Sequence, residues 1–161
     1  MNILAVCAGN ICRSPAAEAA IREAADRAGF EVSVDSAGTG SWHIGNAPHP
    51  QVVAAGARAG LEVVGRARRI NPVDFERYDV IVVMDHANLR EVLDLAPDLE
   101  DRAKVRLFRT FDPVTDHDEV PDPYGGPEKG YDRTIAQVRA AAAGLIDSLS
   151  SAGVEDPIAL K

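Results

Sequence analysis

Along the chain, short apolar runs alternate with longer stretches in which apolar residues return every three or four positions. Residues 2–6, NILAV, are too few for a helix and end at a glycine-containing loop, the pattern of a buried strand. Ser14 and Pro15 then stand where a helix cap and a first helical residue belong, and the Ala-rich AAEAAIREAADRAG behind them stops at Gly29. The alternation continues: FEVSVDS reads as a strand, HPQVVAAGARAGL as a helix up to Gly60, and DVIVVMD as a buried strand. ANLREVLDLA is a helix that ends before Pro97, KVRLF a fourth strand, and YDRTIAQVRAAAAGLIDSLSS a long last helix. Four strands alternating with helices predict an α/β fold, a parallel sheet covered on both faces. At 161 residues this makes a single domain over 1–161, with the ending GVEDPIALK (153–161) as a loose tail.

One segment breaks the alternation. Residues 109–130, RTFDPVTDHDEVPDPYGGPEKG, are acidic and rich in Pro and Gly. A loop this long inside a compact domain is usually functional or disordered. Because it follows a strand, it starts near the carboxyl end of the sheet, where open α/β folds bind ligands. The loop after the first strand lies at that end too.

Composition narrows the partners. Acidic residues outnumber basic ones 25 to 17 for a net charge of -8, and the basic residues are scattered, which argues against nucleic acid. No apolar stretch approaches the roughly 18 residues of a membrane span, and the N-terminus lacks the basic flank of an export signal. The expectation is a cytoplasmic protein without a membrane partner. The two cysteines, Cys7 and Cys12, are neither a disulfide framework nor a C-x-x-C pair. His43, His49, His86 and His117 are dispersed without metal-ligand spacing, so no metal and no cofactor is expected.

Between the first strand and the first helix lies C-x-x-x-x-x-R-S: Cys7, Ala8, Gly9, Asn10, Ile11, Cys12, Arg13, Ser14. A loop that ends at a helix N-terminus can turn its backbone amides inward as an anion nest, with the helix dipole adding to the positive potential. Gly9 and Asn10 are residue types that tolerate left-handed backbone. Arg13 offers a planar fork for two phosphate oxygens. The same field favours the thiolate, the reactive form of a cysteine, at Cys7, and Ser14 can donate a hydrogen bond to it. Each residue has an ordinary reading alone, as a strand end, a solvated charge or a cap. Together on a strand-loop-helix they point to a phosphate-binding loop with a nucleophile. Neither a Gly-Lys-Ser/Thr phosphate loop nor a G-x-G-x-x-G is present.

A thiolate that attacks phosphorus needs a proton delivered to the leaving oxygen. Asp122, between Pro121 and Pro123, is one candidate, with Asp112, Asp116, Asp118 and Glu119 as competitors. The prolines favour Asp122, since a rigid carboxylate is positioned more reproducibly.

At these residues the chain resembles the low-molecular-weight protein tyrosine phosphatase family. The resemblance rests on VCAGNICRSP, on DSAGT with WHIGN, on VVMDHANL and on DPYG, and so covers nearly the whole chain. It implies a doubly wound four-stranded parallel sheet and hydrolysis of phosphotyrosine in proteins or peptides through a phosphocysteine. By match, Cys7 is the nucleophile, Arg13 binds the phosphoryl group and Asp122 is the general acid, while residues 8–12 and Ser14 bind phosphate or other oxyanions. Asn10, Ser14 and Ser36 match positions that hold the loop's shape, Asp85 matches an acidic residue beside it, and Trp42 and Tyr124 match a substrate wall. The resemblance also implies that Cys12 can trap an oxidised Cys7 as a disulfide; its other reading is a small residue that shapes the loop. Two departures stand out. Gly65 replaces a histidine that often helps fix the loop asparagine, and Gly125 replaces an aromatic. The cluster Arg66, Arg68 and Arg69 reads as a solvated face in preference to a surface that draws acidic peptides, and Arg68 falls where the family tends to carry arginine, which suggests a structural ion pair.

Four rivals stand beside this reading. Protein-arginine phosphatases of the same fold typically carry threonine where Ile11 stands here. A phosphocysteine carrier, or a catalytically dead phosphate-binding module, has no need of both Arg13 and Asp122. Arsenate reductases need further cysteines, and none follows Cys12.

Overall fold

β1 (Asn2–Cys7) runs through the centre of a four-stranded sheet ordered β2-β1-β3-β4, with β2 at Ser33–Gly38, β3 at Val80–Val83 and β4 at Val105–Leu107. The computed structural model describes residues 1–152, so the tail expected at 153–161 lies outside the described residues. All three strand pairs are parallel, and Cys7 lies opposite Gly38 of β2. The side chains of β1 alternate between two cores. Ile3, Ala5 and Cys7 face one, Leu4 and Val6 the other.

The first core is closed by α1 (Arg13–Ala28), α2 (Pro50–Arg58) and α6 (Glu128–Ala152). Ala16, Ala17 and Ala20 of α1 and Ala141 and Ala142 of α6 are buried there, and such small side chains let the two helices approach closely. Gly144 of α6 has a local reason: a Cβ there would collide with the carbonyl oxygen of Phe111 in the 3₁₀ turn Phe108–Phe111. The second core is capped by α3 (Asp74–Arg77) and α4 (His86–Leu95), which contribute Phe75 and Val92, and α5 (Leu99–Ala103) leads into β4. The predicted elements are present with shifted ends, while α3 and α5 were not predicted; four or five residues carry no periodicity to read.

The start of α1 differs from expectation. Ser14 does not cap it: the helix begins at Arg13, Cys12 occupies the N-cap without a side-chain cap bond, and the Ser14 hydroxyl turns toward Cys7. Gly29 does end the helix, in left-handed conformation (φ 64°).

β1 is the strand at which the chain order reverses, with β2 on one side and β3 on the other. The loop after β1 and the residues after β3 therefore flank the crevice at the carboxyl edge, the place where doubly wound sheets bind ligands. No described helix is long and apolar enough to cross a membrane.

Candidate active site

The loop from Ala8 to Cys12 is bent back over the end of β1. Asn10 takes φ 58°, the one positive φ outside glycine among the described residues. A left-handed residue is strained unless its surroundings hold it, and here three side-chain bonds do. Asn10 Nδ2 donates to Ser14 Oγ (2.8 Å) and Ser36 Oγ (3.0 Å), and its Oδ1 accepts from the Arg68 amide (2.9 Å). The donor to Asn10 Oδ1 on the Gly65 side is thus main-chain, the amide three residues on. Gly65 itself has φ 129°, a conformation that a side chain would strain. Gly9 is not left-handed, contrary to expectation; a Cβ there would lie 3.0 Å from His43 Cδ2, so Gly9 makes room for that ring.

Arg68 is the strut behind this arrangement. Its guanidinium donates twice to the buried Asp74 (3.1 and 3.2 Å) and once to Asp35 (3.1 Å), the structural pairing expected of it. Burial lowers the tendency of Arg68 to hold its proton, but Asp74 and Asp35 more than restore it and raise the pKa above the ordinary arginine value.

Gly38 supports the loop from the β2 side. A Cβ on Gly38 would lie 2.7 Å from the Ala8 carbonyl oxygen and 3.1 Å from the Asn10 amide. Gly38→Ala is therefore expected to push the loop off its seat, lowering stability by about 1–3 kcal/mol in denaturant unfolding and weakening oxyanion binding. An unchanged unfolding midpoint would mean that the loop moves freely.

Cys7 is 3% exposed, and its neighbours are donors. The Asn10 amide points at Sγ (3.3 Å), and Ser14 Oγ lies 3.0 Å away. Ser14 Oγ accepts from Asn10, and its one proton lies within reach of two acceptors, the Ala37 carbonyl (3.3 Å) and the Cys7 sulfur. Among the described residues, the amides of Gly9, Ile11 and Cys12 donate to no protein acceptor, as an anion nest requires. Cys12 is different in kind. Burial first, then the negative charges of Cys7 and Asp122, push its thiol up to about 12 against the opposing pull of Arg13, so it stays protonated at neutral pH. Both thiols are free.

Arg13 is 3% exposed and is held from the far side. Its Nη1 donates to Asp85 Oδ2 (2.7 Å) and to the Val120 carbonyl (3.0 Å), while Nη2 lies 3.8 Å from Asp122 Oδ2. Asp85 follows β3 and caps α4 through the Asn88 amide (2.8 Å). Burial pushes the Asp85 carboxyl up, but the Arg13 and Asn88 hydrogen bonds and the Arg13 charge outweigh it and leave it below the ordinary aspartate value. Burial likewise works against the Arg13 charge, and the negative charges of Cys7, Asp85 and Asp122 outweigh it and raise its pKa.

The long loop brings Asp122 to this cluster and fastens Asp112, Asp118 and Glu119 elsewhere. The Val120 amide donates to the Met84 carbonyl (2.7 Å), Asp118 Oδ2 meets His86 Nε2 (2.8 Å) and Glu119 Oε2 accepts from the His86 amide (2.8 Å). Asp112 Oδ1 accepts from the Val114 amide. Of the five candidate acids, Asp122 alone lines the cavity above Cys7. Its Oδ1 accepts from the Tyr124 amide (3.1 Å), which leaves Oδ2 on the Arg13 side.

That cavity holds about 210 Å³ with Cys7, Arg13 and Ile11 lining it and Trp42, His43 and Tyr124 at its sides. Trp42 lies over Gly40, where a Cβ would collide with the indole. Tyr124 packs edge-on against His49 (5.7 Å), which in turn stacks on Tyr131 (5.5 Å). The turn after Tyr124 uses Gly125 at φ 78°, where the missing aromatic would be strained. His43 is the lining residue that the sequence reading passed over, since a histidine beside Trp42 carries no spacing signal. A larger cavity of about 600 Å³ lies at the opposite, amino edge of the sheet around Met1, Phe30 and Ser33 and has no cysteine in its lining.

Residues 2–155 match the sequence profile of a family described as low molecular weight phosphotyrosine protein phosphatase. The chain is 44% identical over 145 residues to a low molecular weight protein-tyrosine-phosphatase of Streptomyces coelicolor, covering 88% of each chain. In three dimensions it is similar to a protein tyrosine phosphatase of Entamoeba histolytica crystallised with Hepes in its active site (TM-score 0.91, 36% identity, 94% and 98% of the two chains). It is also similar to the YwlE arginine phosphatase of Bacillus subtilis, solved with a phosphorylated active-site serine (TM-score 0.82, 26% identity, 93% and 96%).

Proposed function

The chain belongs to the low molecular weight phosphotyrosine protein phosphatase family, and on that premise we propose that it hydrolyses phosphotyrosine in proteins through Cys7, Arg13 and Asp122, as one domain over residues 1–161. The observation that carries this reading is the shared cavity. Cys7 Sγ lies among donors at its base, Arg13 stands clamped between Asp85 and Asp122 at its wall, and Trp42 and Tyr124 flank its mouth.

In the first step the Cys7 thiolate attacks phosphorus, the phosphorus–oxygen bond to the ring breaks, and Asp122 gives its proton to the departing tyrosyl oxygen. Arg13 and the free loop amides meet the charge on the equatorial oxygens. In the second step the Asp122 carboxylate takes a proton from water, the water oxygen attacks phosphorus, and the phosphorus–sulfur bond breaks to return the thiolate. Ser14 then steadies the sulfur as the leaving group. Two free thiols in one loop suit a reducing compartment, and we place the activity in the cytoplasm.

Substrate choice follows from depth. Phosphotyrosine carries its phosphorus past the aromatic walls to Cys7, whereas a phosphoserine side chain is too short to do so without its peptide entering the slot. Ile11 lines the cavity with carbon alone and offers no hydroxyl to a guanidinium, which sets phosphoarginine behind phosphotyrosine.

Phosphate release from matched phosphotyrosine, phosphoserine and phosphoarginine peptides tests this reading. Phosphotyrosine is expected to lead phosphoserine by at least about 10²-fold in kcat/KM. A lead for phosphoarginine would keep the mechanism and overturn the role of Ile11. No release from any of the three would make the protein a phosphocysteine carrier or a binding module.

A further inference from the structure

Asp122 lines a second cavity as well as the one above Cys7. This cavity, about 200 Å³, is bounded on one side by the Pro121–Pro127 loop and on the other by the first turns of α6. Lys129, Arg133 and Gln137 follow one another at four-residue spacing, so they stand on one helix face, and all three line the cavity. Glycines keep it open: a Cβ on Gly130 would have only Pro123 Cβ within reach, at 4.0 Å.

The neighbouring acids are occupied elsewhere. Arg58 takes Glu128 (3.3 Å) and Asp132 (2.7 Å), which leaves Lys129 and Arg133 without an ion-pair partner among the described residues. Asp122, the carboxylate at the boundary, is itself engaged by the Tyr124 amide and faces Arg13. A protein of net charge -8 thus presents two unpaired cations at a concave site that adjoins its reaction cavity.

We propose that this cavity is a substrate subsite that binds an acidic side chain, Asp or Glu, flanking the phosphotyrosine of a protein substrate. The proposal rests on the phosphotyrosine reading above. An extended peptide advances about 3.3 Å per residue, so a chain leaving the Trp42–Tyr124 slot past Asp122 meets Lys129 and Arg133 within a few residues. Two cations beside the reaction cavity thus set both the preferred flank and the direction in which the peptide lies.

The test compares three phosphotyrosine peptides of equal length with glutamate, glutamine or lysine flanks, placed on either side in turn. The enzymes are the wild type and the double variant Lys129→Glu with Arg133→Glu, and p-nitrophenyl phosphate is run beside the peptides. In the wild type, glutamate on one side is expected to raise kcat/KM about five-fold over glutamine, the scale of two exposed ion pairs, and the preference is expected to fade with salt. The charge-reversed variant is expected to prefer lysine on that side. The readout is a ratio within one preparation, so partial misfolding cancels. Equal rates for glutamate and glutamine in the wild type, or an unaltered glutamate preference in the variant, would overturn the subsite and leave the phosphatase reading intact. A wild type that hydrolyses neither the peptides nor p-nitrophenyl phosphate would overturn both.

Discussion

Replacing Cys7 by serine is expected to lower kcat on phosphotyrosine by at least about 10⁴-fold, the scale on which enzymes lose a covalent nucleophile. Serine fits the space, but its hydroxyl needs a base to become reactive. The groups around Sγ are the Asn10 amide, which donates, and the Ser14 hydroxyl, and neither is a general base. Cys12 cannot stand in. With its thiol pushed up to about 12, only on the order of 10⁻⁵ of it is thiolate at pH 7. The substitution leaves the Asn10, Arg13 and Asp85 contacts in place, so oxyanion binding is expected to survive within a few-fold while turnover is lost. Single-turnover assays and phosphate binding on the same variant check both halves. Near-normal turnover would move the nucleophile to another residue.

The site was legible in sequence wherever chemistry and local structure coincide. A cysteine, an arginine and a serine between a strand and a helix have few other reasons to share one spacing, and the structure brings all three around one crevice. Asp122 stood out through its prolines, and the structure supplies the reason that its rivals fall away: Asp118 and Glu119 are spent on His86 and Asp112 on the Val114 amide, and Asp116 does not line the cavity. Illegible were contacts made by backbone. The bond from the Arg68 amide to Asn10 Oδ1 holds the loop asparagine, and an amide has no residue type to read. Ser14 shows the opposite failure: a serine before a proline reads as a cap, yet its hydroxyl is drawn to the Cys7 sulfur and the cap passes to Cys12. Lys129 and Arg133 sit in a run of mixed charge, EKGYDR, with no spacing signal to set them apart. What leaves them unpaired is Arg58, 74 residues before Asp132, which takes both adjacent acids.

Asp122→Asn is expected to separate the two chemical steps. For phosphotyrosine the leaving oxygen is basic, so loss of the proton donor is expected to lower kcat/KM by about 10² to 10⁴-fold. For p-nitrophenyl phosphate the leaving group departs without a proton, so kcat/KM, which reports cleavage of the phosphorus–oxygen bond, is expected to fall far less. Hydrolysis of the phosphocysteine needs Asp122 as base whichever ester formed it. With the good leaving group the variant is therefore expected to show a burst of nitrophenolate and to accumulate phosphorylated protein, visible as one added phosphoryl group in the intact mass. The geometry argues against a merely structural loss. Asp122 is half exposed, its one short contact is to the Tyr124 amide through an oxygen that asparagine retains, and its approach to Arg13 is long at 3.8 Å. Removing that negative charge also leaves Arg13 with Asp85 as its remaining carboxylate, so binding of phosphate is expected to tighten. Equal losses of kcat/KM on both esters, without a burst, would instead mean that Asp122 positions substrate and that another group carries the proton.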